Sequence, residues 1–143
     1  MMLVAVSIII GLIGLIGYVI TALGVGAMFG KAGEAKWKAW VPVYNTYVYT
    51  KISWSAKMFW VMFIIGCVSG IVQQIGQSST SLICAILSVI LSIVLVVMVA
   101  ILCSKTSKAF GHRGGYAVGL FFLPVIFQLI IGFGQSEYVG AQG

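Results

Sequence analysis

Few side chains in this chain can do chemistry. Cys67, Cys84, Cys103, His112, Glu34 and Glu137 make up the reactive inventory, and there is no Asp. Hydrolytic, phosphoryl-transfer and divalent-metal sites usually draw on several carboxylates, so those classes lose their usual groups at the outset. The three cysteines are scattered through apolar runs, a pattern that argues against a disulfide framework or a zinc site. They read as buried structural thiols. Cys103 and His112 could share one face as nucleophile and base, but no acid is placed to orient the imidazole. In SKAFGHRGG, His112 is more simply a solvated loop residue. One histidine is also a poor start for haem ligation, and neither a phosphate loop nor a dinucleotide fingerprint occurs. No enzyme activity, catalytic residue, metal or cofactor is expected. A groove for a lipid or pigment leaves no mark at this level.

The informative residues are basic and aromatic. KAGEAKWKAWVPVYNTYVYTKISWSAK sets Trp37, Trp40, Tyr44, Tyr47, Tyr49 and Trp54 among five lysines. Tyr and Trp suit a membrane–water interface because each joins an apolar body to a polar handle. Trp37, Trp40, Tyr44 and Tyr47 are spaced three, four and three, the spacing of one helical face. Pro42 breaks that helix unless it occupies a first turn, so a short interfacial helix followed by a turn is expected. The segment reads as an interfacial anchor. Alternatively it docks a lipid headgroup or partner protein through Lys36, Trp37, Lys38, Trp40, Tyr44 and Lys51, with Lys105, Lys108 and Arg113 from a second basic loop.

These loops must be positioned by apolar elements. The 143 residues are 62% hydrophobic and 7% charged, with a mean hydropathy of +1.18. Soluble domains carry about 25% charged residues, and disorder needs low hydrophobicity. A bilayer core roughly 30 Å thick takes about 20 apolar residues per helix. Four stretches qualify: residues 3–29, 54–76, 82–103 and 116–134. Leu82 to Leu102 holds fifteen Leu, Ile or Val residues, together worth about −5 to −9 kcal/mol of insertion free energy at most. The first run is too long, and lacks the basic start, for a cleaved signal peptide. The expected fold is all-α: one transmembrane domain over residues 1–143, a polytopic integral membrane protein of four helices with an interfacial aromatic-basic segment between the first two.

All eight basic side chains then fall on one side of that topology. Short basic loops stay cytoplasmic, so both termini are expected on the extracytoplasmic side of the membrane, and a reporter after Gly143 should read extracytoplasmic. The net charge of +6 belongs to these orientation signals and to anionic lipid, not to nucleic acid. Small residues recur at helical spacing in Ala22, Gly26 and Gly30, in Ser81, Ala85, Ser88 and Ser92, and in Gly115 and Gly119. Such stripes let helices approach closely, either within one bundle or between copies. Gly11, Gly14 and Gly17 add another slim surface. Pro124 should kink the fourth helix, and Gln128, one turn on, should face protein or water.

FGKAGEAKWKAWVPVYNTYVYTKIS, with KAFGHRGGYAVGLFFLPVIFQLIIGFG and the following Tyr138 and Gly140, resembles a family of small prokaryotic membrane proteins known only as a domain of unknown function. Its hallmark is a Lys-Ala-Gly, Trp, Pro-x-Tyr-Asn run between the first two helices. Some members carry signal-peptidase labels. A serine–lysine protease of that kind works on the outer face, however, and every lysine here is expected on the inner one. The family implies no catalytic residues. The expected role is an accessory, scaffolding or assembly subunit of a larger membrane complex, partnered by membrane lipids and by other subunits or itself. The alternative is a self-assembling channel or small-solute transporter.

Overall fold

A computed structural model describes residues 1–78 and 81–142. The described residues are helical, with no strand among them. Helix α1 runs Met2–Lys31, a 3-10 helix covers Lys36–Trp40, and α2 runs Pro42–Ser53. Then come α3 (Ala56–Ser78), α4 (Leu82–Ala109), α5 (Gly114–Phe122) and α6 (Pro124–Phe133). Of these, α1, α3 and α4 are long and apolar enough to cross a membrane.

Local chemistry explains where the helices stop. Helix α1 ends at Gly33, whose φ of +80° suits a residue without a Cβ. There the Glu34 and Gly33 N–H groups donate back to the Phe29 and Gly30 carbonyls at 2.8 and 3.3 Å, a Schellman closure. Helix α4 ends in the same way at Gly111 (φ +76°), with His112 and Gly111 donating to Ser107 and Lys108. Both basic loops therefore begin at a glycine cap. Pro42 and Pro124 each start a helix, where a missing N–H costs nothing.

The fourth expected span is the main correction. Residues 116–134 do not form one kinked helix. Leu123, pushed out of helical geometry ahead of Pro124 (φ −129°, ψ 61°), ends α5, and α6 starts back the way the chain came. The Tyr116 and Phe127 rings lie 5.5 Å apart, and His112 Nε2 meets Ser136 Oγ at 2.5 Å. A straight helix would separate the second pair by about 36 Å. Helices α5 and α6 are thus a hairpin of nine and ten residues, each arm about half a bilayer core in length. Glycine permits the fold: the Phe127 ring occupies the space where a Gly119 side chain would stand.

Helix α6 lies along the last third of α1, running parallel to it. A Cβ on Gly132 would sit 2.5 Å from the Gly24 carbonyl oxygen, and one on Gly24 would sit 3.2 Å from Leu129. Around this contact the buried core gathers Val25, Met28 and Phe29 of α1, Val48 and Ile52 of α2, Cys103 and Phe110, Leu120 and Ile131. All belong to one end of the molecule. At the other end α1 touches neither α3 nor α4, and its first eighteen residues are exposed.

Because the hairpin returns, the termini part company. Residues 135–142 lie across the core end, where the Val139 N–H donates to Ala109, the Gln142 N–H to Ser53 and the Tyr138 hydroxyl to Ile52. Met1 stands at the far end of α1. Met1 and Gln142 therefore lie at opposite ends of the described molecule.

Candidate functional site

All eight basic side chains and both acids occupy the core end, so the whole formal charge of +6 is concentrated there. Glu34, just past the cap of α1, accepts bonds from Lys38 at 2.5 Å and Lys51 at 2.8 Å. These bonds hold its carboxyl below the usual range and raise both lysines. Two ammonium groups on one carboxylate leave one positive charge over. Asn45 Nδ2 donates to the Ala39 carbonyl at 2.8 Å, stitching the 3-10 helix to α2.

Aromatic rings continue from this charge cluster into the apolar part of the molecule. Trp37 meets Tyr44 at 6.2 Å, Tyr44 stacks on Tyr47 at 5.9 Å, and Tyr47 meets Phe59 edge-on at 5.3 Å. Phe59 then contacts Trp60 and Phe63 at 5.4 and 5.7 Å. Lys38 Nζ lies 5.8 Å from the Tyr44 ring centre, within cation–π range. Of the residues expected to dock a ligand, Trp37, Lys38, Tyr44 and Lys51 are brought together.

The others go elsewhere. The Lys36 side chain lies under Gly30, where a Cβ would meet its Cε at 2.7 Å. The Trp40 carbonyl accepts the Tyr18 hydroxyl, and the two rings meet edge-on. Lys105 donates to the Gln142 carbonyl at 2.6 Å beside Trp54. Lys108 and Arg113 are exposed further round the same end. The 3-10 turn and Pro42 explain the split: Trp40 is rotated away from the face that Tyr44 and Tyr47 share, so the expected single stripe loses that member.

The small-residue stripes also find different partners. Ala22 is buried, while Gly26 and Gly30 admit the 3-10 helix, not another transmembrane helix. Ala85, Ser88 and Ser92 line shallow grooves along α3–α4; Ala85 and Ser92 are exposed. Gly119 seats Phe127, and Gly115 faces open space. Cys67 is exposed, Cys84 half-buried and Cys103 buried, so the expectation of three buried thiols holds for Cys103 alone.

Sequence reasoning missed two features. Lys31 Nζ reaches the carbonyls of Ile131, Gly134 and Ser136 at 2.6, 2.8 and 2.7 Å. His112 stacks on Tyr116 at 3.7 Å as well as meeting Ser136. Gln128 faces protein, as its polarity in an apolar run leads one to expect: its Oε1 is buried beside Tyr49, which also neighbours Thr106. The glycines flanking each basic loop were the only local signal that these ends converge.

Charge gathered at one end of three long apolar helices defines an all-helical protein with the character of a membrane protein. Residues 37–141 match DUF5684, a family of unknown function, and the chain belongs to that family. No curated protein and no solved structure matches it.

Proposed function

We propose that the protein is a non-enzymatic accessory or assembly subunit of a larger complex in a prokaryotic cytoplasmic membrane, with its basic end in the cytoplasm. The observation that carries this reading is the isolation of α1. Its last third is locked to α6 and Tyr18 meets Trp40, but residues 2–17 are exposed and neither α3 nor α4 touches α1. Helices in lipid associate by close packing. Gly11, Gly14 and Gly17 offer backbone that a Cβ would not obstruct. A partner helix from another subunit would complete the half of the bundle that α5–α6 leaves empty.

One observation favours a channel or small-solute transporter instead. Non-helical backbone at Leu123 lies at the tip of a half-length hairpin, and such backbone at membrane depth is tolerated where protein buries it or water reaches it. Native mass spectrometry of gently extracted complexes separates the two readings. Co-purification with different membrane subunits at fixed stoichiometry supports the accessory role. A homo-oligomer that conducts in liposomes overturns it.

A further inference from the structure

We infer that Phe59 divides a binding site for one anionic diacyl phospholipid from the leaflet next to the basic end. Two apolar grooves of nearly equal size flank this ring. One, of about 390 Å³, is lined by Val41, Val43, Tyr44, Tyr47 and Trp60. The other, of about 380 Å³, is lined by Thr46, Thr50, Met62, Gly66, Cys67 and Leu95. Phe59 belongs to both linings and is itself only 6% exposed, so it stands as a fixed wedge between them.

Depth, chemistry and charge agree on the occupant. Phe59 to Cys67 spans about 12 Å along α3, close to the half-thickness of a bilayer core. Thr46 and Thr50 add no unmet polar demand to the second groove, because each hydroxyl donates to its own helix, at 3.4 and 2.8 Å. Two acyl chains fit this pair of walls. Where Tyr44 and Tyr47 meet the interface, Lys38 and Lys51 share Glu34 and leave one positive charge. A phosphate with no compensating cation of its own is drawn there more strongly than a zwitterionic headgroup. The site needs no protein partner, so its failure would leave the accessory reading standing.

The test is native mass spectrometry of delipidated protein titrated with phosphatidylglycerol, phosphatidylcholine and single-chain lyso-phosphatidylglycerol. The wild type should retain one phosphatidylglycerol per chain with about fivefold preference over phosphatidylcholine, the effect of about one interfacial charge. Gly66→Phe fills one groove, and a Cβ there meets nothing within 4 Å, so the fold should tolerate it. It should weaken the diacyl lipid at least tenfold and spare the lyso lipid. Lys51→Gln, at a side chain 48% exposed, should erase the headgroup preference while phosphatidylcholine still binds. Equal affinity for both headgroups in the wild type, or unchanged phosphatidylglycerol binding by Gly66→Phe, would overturn the assignment.

Discussion

The ammonium of Lys31 is bonded to three carbonyls at the end of α6. Helix C-termini leave such carbonyls unsatisfied and favour positive charge. Lys31→Met should therefore cost about 1.5–3 kcal/mol, read as a lower midpoint of thermal unfolding in detergent, with Lys31→Arg losing less. An unchanged midpoint would mean that water serves those carbonyls equally well. Glu34 makes a pH-dependent contribution. Its folded carboxyl titrates below the ordinary value of 4.5 because Lys38 and Lys51 donate to it. The stabilisation it supplies is thus complete above that value and lost as pH falls through the lower, folded one. The stability gap between wild type and Glu34→Gln should be constant near neutrality and close on acidification. A gap that persists at low pH would assign the effect to packing.

The α5–α6 hairpin depends on how closely its two arms approach. Gly119→Leu would drive a side chain into the Phe127 ring, an overpacking that costs about 1–3 kcal/mol or more. It should loosen the hairpin and expose residues 135–142 to protease. Gly14→Ala meets no atom within 4 Å and raises helix propensity by up to about 1 kcal/mol, so the isolated chain should be no less stable. The same change should weaken a complex assembled through α1, as pull-down yield would show. These elements were unevenly legible. Long apolar runs announced α1, α3 and α4, but the turn expected at Pro42 is instead the first turn of α2, a helix of twelve residues. Pro124 was visible too, but a mostly apolar run of nineteen residues has the same hydropathy whether it crosses a bilayer once or enters and returns.

At the scale of the molecule, that return reverses the fate of the C-terminus. With Tyr138 bonded to Ile52 and Lys105 to Gln142, the tail lies beside the basic loops. A fluorescent protein fused after Gly143 should therefore report from the cytoplasm, and an N-terminal tag from outside. An extracytoplasmic C-terminal reporter would contradict the hairpin. The tail itself was illegible: its bonds to α2 and α4 are made mostly by backbone groups, and backbone groups are the same in every sequence.

Composition and periodicity by themselves determined the helical class, the three long apolar helices and the clustering of charge. Each of these follows from a local free energy of burial or solvation, summed residue by residue along the chain. Only the tertiary structure decided that residues 116–134 double back, that Trp40 leaves the aromatic row, and that Lys31 and the tail close the basic end. Those outcomes rest on contacts between segments up to about a hundred residues apart. Gly24 against Gly132 and Gly119 against Phe127 are complementary only once both partners are in place, and no single segment carries the shape of the other.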